Sequence, residues 1–130
     1  MTYLLDVNAI VALAVLNHEF HQRVARWVQS SRPQLATCSI TEIGFVRVLS
    51  QAPAYGLTVV QARTLLLRMK RASGSPLRFI SDSNGVSDLP TWVKSPKQVT
   101  DGHLSQLAAA NSAILATLDE NIPGSFVIPK

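Results

Sequence analysis

The sequence predicts an α/β sandwich, helices packed on a central and mostly parallel sheet of about five strands. Two observations predict it. Short apolar runs that read as buried strands alternate with longer stretches of helical periodicity along the whole chain. Composition agrees: 47% of residues are hydrophobic and only 15% charged, against about 25% charged in an average domain. With 130 residues the chain suits one domain, 1–130, that buries a real core. The low charge also implies some apolar surface reserved for a partner.

Tyr3-Leu4-Leu5 is an apolar run that stops at Asp6, a buried strand. Asn8 to Leu16 is apolar nearly all round and predicts a deeply buried helix. His18 to Ser30 places Phe20, Val24, Trp27 and Val28 on one helical face, and Arg32-Pro33 ends it. Leu35 to Cys38 is a second strand, and Ser39 opens a helix to about Ser50. Thr58 caps a helix to about Ala72, striped by Val59, Ala62, Leu65, Leu66 and Met69 and closed by Gly74 and Pro76. Leu77 to Ile80 is a third strand. Ser81 to Gln98, rich in Ser, Pro, Asp and Asn, predicts loop with a helical turn around Leu89 to Val93. Thr100 is expected to cap a helix from Asp101 to about Asn111. Ala113 to Leu118 is a fourth strand stopped by Asp119, and Phe126 to Ile128 a last edge strand.

The bulk numbers narrow the function. A formal charge of +4 suits a polyanionic partner such as RNA. Cys38 is the sole cysteine, so no intrachain disulfide forms, and a reduced cytoplasmic setting is expected. Cys38 lies in an apolar stretch and reads as inert core. Residues 1–6 have no basic leader pattern. The longest nearly apolar run, Ala9 to Leu16, is far short of the ~20 residues that span a bilayer, so a soluble protein off the membrane is expected.

Four of the eight acids occupy related places. Asp6 and Asp119 end strands, Glu42 lies in the first turn of the helix after strand two, and Asp101 opens the helix before strand four. In an open parallel sheet the carboxyl ends of the strands and the helix starts that follow share one edge, where ligands bind. Each acid also has a structural explanation. Ser39-Ile40-Thr41-Glu42 matches a capping box, Asp6 and Asp101 suit helix starts, and Asp119 suits a turn through Asn121. Together they imply more. Close carboxylates repel by about 1–4 kcal/mol per pair at surface-like dielectrics, so their gathering calls for a cation. Oxygen-only ligands select a hard ion, Mg²⁺ or Mn²⁺. Such ions activate water against a phosphodiester.

The residues resemble the PIN-domain family, and within it the VapC-type toxin ribonucleases of toxin–antitoxin pairs. The matching segments are Leu4-Leu5-Asp6-Val7-Asn8, Ser39 through Leu49, Thr100-Asp101-Gly102-His103-Leu104 and Leu115-Ala116-Thr117-Leu118-Asp119. They agree in order and spacing over nearly the whole chain. The resemblance implies Mg²⁺-dependent RNA cleavage, homodimers and a protein antitoxin. It implies that Asp6, Glu42 and Asp101 form the core metal site, that Asp119 is a fourth acid nearer a second metal, and that Asn8 and Thr117 support the site by hydrogen bonds.

Other residues read both ways. Arg47 suits an RNA phosphate or an acid, and His103 an RNA-facing or supporting place. His18 and His21 read as a solvated helix face. Arg63, Arg68, Lys70, Arg71 and Arg78 read as an RNA-contact rim or a solvated face. Trp92 reads as a stacking platform or a loop anchor. Leu57, Val59, Val60 and Leu66 suit an antitoxin groove. Two rival functions remain at this point: a phosphoaspartate hydrolase with Asp6 as nucleophile, which wants an Asp where Asn8 stands, and a non-catalytic Mg²⁺-binding signalling module.

Overall fold

A computed structural model describes residues 1–72, 74 and 76–130. Five strands, β1 (Thr2–Leu5), β2 (Gln34–Cys38), β3 (Leu77–Ile80), β4 (Ala113–Thr117) and β5 (Phe126–Val127), form one sheet in the order β3-β2-β1-β4-β5. Every pairing is parallel. Five helices surround it: α1 (Val7–Ala14), α2 (His21–Ser31), α3 (Ser39–Gln51), α4 (Val59–Arg71) and α5 (Val99–Ala110).

The strand period of two divides the core in half. Leu5, Leu35, Leu77 and Ala116 face one side, where they meet Ile10 of α1, Val24 and Trp27 of α2, Phe45 and Leu49 of α3, and Ala62 and Leu66 of α4. Leu4, Ala36, Ile80 and Leu115 face the other side and meet Leu104 and Leu107 of α5. Four helices thus cover one face and a single helix the other. Tyr3, Trp27 and Phe126 join β1, α2 and β5 through ring contacts of 5.0–5.4 Å. The Arg23 guanidinium ties the last strand down by donating from Nε to the Ile128 carbonyl at 2.9 Å.

The predicted sandwich is present, and most elements fall within a few residues of expectation. The differences have local causes. The chain reaches α2 at His21 rather than His18, because Nδ1 of His18 accepts from the Phe20 amide (3.0 Å) in a turn. The residues 81–98 carry 3₁₀ turns at Val86–Asp88 and Pro96–Gln98, and the turn expected around Leu89 to Val93 is a single hydrogen-bonded one, the Val93 amide donating to the Pro90 carbonyl at 3.1 Å. The Pro96–Gln98 turn runs straight into α5, which starts at Val99. No extended residue precedes that helix, so Thr100 lies within its first turn and does not cap it. Trp92 packs against the core under α5, an anchor for the loop. Cys38 is buried, and Leu66 is core rather than surface. Among the described residues no helix is long and apolar enough to cross a membrane.

Candidate active site

The carboxyl end of β1 delivers Asp6 into a densely bonded corner. Its Oδ1 accepts from the Val7 amide at 2.8 Å, capping α1. Its Oδ2 accepts from the Thr117 hydroxyl at 2.8 Å. Thr117 ends β4, the neighbouring strand, and its oxygen also accepts from the Asp119 amide at 3.0 Å and from Nδ2 of Asn8 at 3.3 Å. Asn8 Oδ1 in turn accepts from the Leu118 amide at 3.2 Å. One hydroxyl proton and two lone pairs are thereby all used. The network fixes the ends of two adjacent strands against each other.

Asp6, Asp101 and Asp119 line one cleft of about 430 Å³. Burial raises the Asp6 carboxyl above the ordinary carboxylate value; the hydrogen bonds from Thr117 and Val7 oppose that rise, and the Asp119 charge adds to it. The Asp101 carboxyl is also raised, by burial first and then by the charges of Asp6 and Asp119. Asp6 thus feels the charge of Asp119, and Asp101 feels both, across an open cleft. Asp119 Oδ1 accepts from the Asn121 amide at 2.8 Å, which is the turn its sequence suggested. That turn and a place in the cleft are compatible.

Glu42 is placed differently. Helix α3 begins one residue earlier than a Ser39 cap requires. Cys38 occupies the cap position, and its amide donates to the Thr41 hydroxyl at 3.0 Å. The expected box between Ser39 and Glu42 does not form, and the Glu42 side chain is free of it. Its Oε2 instead accepts from the Thr37 hydroxyl and from Nζ of Lys70, both at 2.6 Å. Glu42 lines a neighbouring, mostly apolar hollow of about 550 Å³ together with Arg47, Val59 and Arg63. Arg47 thus stands beside Glu42 and not in the acid cleft. His103 pairs with Asp82 through Nε2 at 2.5 Å.

Sequence reasoning missed three neighbours of the acids. His18 and Tyr55, from the turns after α1 and α3, line the acid cleft. His18 is thus not on a solvated helix face, and nothing in the spacing of these residues marks them. Lys70 was visible only as one cation among several on α4. Its pairing with Glu42 depends on how α4 packs on α3.

The donor set suits a hard divalent cation: three carboxylates, backed by a hydroxyl and an amide, with no sulfur or imidazole bound among them. Among the described residues no three acid, His or Cys side chains are gathered closely enough to hold a metal ion as they stand.

A five-stranded parallel sheet with acids gathered at its carboxyl edge is the arrangement expected of a PIN-like α/β protein. No family model matches the chain. It is 36% identical to Ribonuclease VapC38 of Mycobacterium tuberculosis over 124 residues, spanning 92% of this chain and 86% of that protein. It is 35% identical to Ribonuclease VapC44 of the same species over 127 residues, spanning 94% and 89%. Among solved structures, Mycobacterium tuberculosis VapC20, described as a sarcin–ricin loop cleaving toxin, superposes with a TM-score of 0.70 over 98% of this chain and 99% of that one at 12% identity. VapBC2 of Rickettsia felis, bound to a DNA fragment from its promoter, superposes with a TM-score of 0.57 over 97% and 96% at 15% identity. The two superpositions establish the fold, and the curated relatives establish the lineage: the chain belongs to the VapC ribonuclease family.

Proposed function

We propose that this chain is a metal-dependent endoribonuclease, the toxin of a toxin–antitoxin pair. The observation that carries the reading is the convergence of Asp6, Asp101 and Asp119 in one cleft, where burial first and neighbouring carboxylate charge second raise Asp6 and Asp101. Curated VapC relatives that share a third of the residues over most of the chain are named ribonucleases.

Asp6, Asp101 and Asp119 are the residues that would hold Mg²⁺ or Mn²⁺. The bound ion supplies positive charge that acidifies a water molecule and balances the phosphodiester in its transition state. The protein's own groups do the rest. Thr117 and the Val7 amide keep Asp6 oriented and favour its ionised form. Asn8 ties the start of α1 to the end of β4 and so to the turn that carries Asp119. The amino ends of α1 and α5 lie beside Asp6 and Asp101, and their positive ends favour both the carboxylates and an arriving phosphate. His18 and Tyr55 line the same cleft and would offer an entering RNA strand a donor and a flat ring. Nδ1 of His18 accepts a backbone proton, so in the neutral ring Nε2 carries the hydrogen.

The partner reading follows the same lineage. The Rickettsia felis neighbour is a VapBC complex, and an antitoxin protein is proposed here too. The hollow between α3 and α4, with Ile43, Val59 and Leu67 exposed, offers it an apolar seat. A homodimer and a cytoplasmic setting belong to the same proposal; light scattering of the purified chain tests the dimer.

The deciding experiment is a digest of a defined RNA with Mg²⁺ or Mn²⁺ against EDTA, for wild type and Asp6→Asn. Cleavage is expected only with the ion, and at least about a hundredfold slower in the variant. Cutting that persists in EDTA, or is untouched in Asp6→Asn, would refute the reading.

A further inference from the structure

A cleft walled by three acids has to receive an anion. Among the described residues that line it there is no Lys or Arg. A cationic side chain in this place would pair with the carboxylates, as Lys70 pairs with Glu42 at 2.6 Å. A bound ion would balance the acids, but a phosphodiester also needs hydrogen-bond donors that hold it in register. A neutral donor does this without taking the place of the ion.

Few side chains of the cleft suit that task. Asn8 is engaged with Thr117 and the Leu118 amide. Tyr55 packs its ring against the core. His18 is half-buried and held by its own turn. Its amide donates to the Val15 carbonyl, and its carbonyl accepts from the His21 amide, both at 3.0 Å. Nδ1 of His21 donates to the Ala12 carbonyl at 2.8 Å and ties the turn back to α1. The His18 ring lies 5.9 Å from the Phe20 ring, centre to centre. Its Nδ1 accepts from the Phe20 amide at 3.0 Å. The ring that makes this bond is the neutral one, with its single N–H at Nε2. Among the described residues Nε2 has no hydrogen-bond partner. One oriented donor is therefore left over in the wall of the acid cleft.

We infer that His18 binds substrate phosphate beside the cut, its neutral ring donating from Nε2 to a non-bridging oxygen of a linkage that flanks the scissile one. The inference rests on the reading of the cleft as the RNA-cleaving site and adds a substrate contact to it. The accepting oxygen keeps its charge throughout the reaction, so the bond acts on binding and is read in KM.

The Nδ1 bond also holds the turn before α2, and two variants separate the roles. His18→Asn keeps the turn, because an Asn oxygen accepts from the amide two residues on, but is too short to place a donor where Nε2 stands. His18→Gln extends an amide donor toward that place. Cleavage of a defined RNA is followed against RNA concentration with Mn²⁺, and binding of the same RNA by fluorescence anisotropy in EDTA, with thermal melts alongside. His18→Asn is expected to melt with wild type, to bind about tenfold more weakly, and to lose about tenfold in kcat/KM through KM. His18→Gln should recover most of that loss. Single linkages around the cut are then replaced by uncharged methylphosphonates. At one flanking linkage wild type should lose about tenfold and His18→Asn no more than about twofold. Wild-type binding and KM in His18→Asn would show that the residue only holds the turn, and would overturn the inference. Losses that add at every linkage overturn it too, as does a fall in kcat with KM unchanged. If His18→Asn melts low, His18→Gln decides, since with the donor kept the same linkage must stay sensitive. Wild type that binds the RNA without cutting it sinks the ribonuclease reading, while weaker binding by His18→Asn still reports the contact. If wild type neither binds nor cuts, both fall.

Discussion

Asp6 is 8% exposed and yet carries a charge that the proposed chemistry requires. Its carboxyl is raised by burial and by Asp119, against the pull of Thr117 and Val7. The native state thus holds this proton more tightly than the unfolded chain does. Linkage then fixes the sign. The contribution to stability is complete below the ordinary value of 3.8 and is lost as pH rises through the elevated folded value. Asp101 acts in the same direction. Asp6→Asn, which keeps the helix cap, should therefore melt above wild type in EDTA at neutral pH, with the advantage shrinking as the pH is lowered toward 3.8. Melts over a pH series check this, and an advantage that grows on acidification would contradict it. Thr117 offers a second reading at this scale. Thr117→Val preserves shape and strips Asp6 of its hydroxyl donor. Loss of such a supporting partner costs about 10–100-fold in metal affinity or activity, measurable as Mn²⁺ affinity and as cleavage rate.

Among the elements, α5 and the segment before it show how closely the site depends on backbone approach. A Cβ at Gly102 would lie 2.2 Å from Val93 Cγ2 and 3.3 Å from Pro90 Cδ. The loop carrying Trp92 therefore rests directly on the helix between Asp101 and His103. Gly102→Ala should cost about 1–3 kcal/mol through overpacking and displace Asp101. Gly102→Ala/Val93→Ala should recover most of the loss, as chemical denaturation would show. The sequence announced the existence of most elements here because apolar period and punctuation agree: Leu77 to Ile80 was bounded correctly from its run and the preceding Pro76. It was less informative where the chain uses short turns. The composition of Ser81 to Gln98 marks a loop but not where its two 3₁₀ turns fall, since each is closed by local bonds such as that from the Gly85 amide to Asp88. The start of α3 shows a second kind of limit. Ser39 and Glu42 fit a capping box as well as Cys38 and Thr41 fit their own arrangement, and only packing selects between them.

At the level of the whole molecule, the sheet-edge argument placed Asp6 and Asp119 in advance, because strand direction alone sends both to one rim. Asp101 joins them through the packing of α5, which no spacing rule supplies. Glu42 lines a different hollow and is engaged by Lys70, a contact between residues 28 positions apart that only the fold brings together. The net charge of +4 acts at the same scale. Excluding the acid cleft, the surface is more basic still, so RNA association should be strongly salt-dependent. At subsaturating RNA and fixed Mn²⁺, the cleavage rate should fall severalfold or more between about 50 and about 200 mM salt. A flat profile would mean that phosphate contacts contribute little to capture.

The strand order has a consequence for synthesis. β1 is made first, yet it lies in the middle of the sheet, and its partner on one side is β4, paired from Thr2 with Ala113 to Leu5 with Ala116. The hydroxyl that orients Asp6 comes from Thr117, 111 positions later. A chain still emerging from the ribosome holds the first acid without its hydroxyl and without the other two. The corner around Asp6 is therefore completed only after residue 117 has been made and β4 has paired with β1.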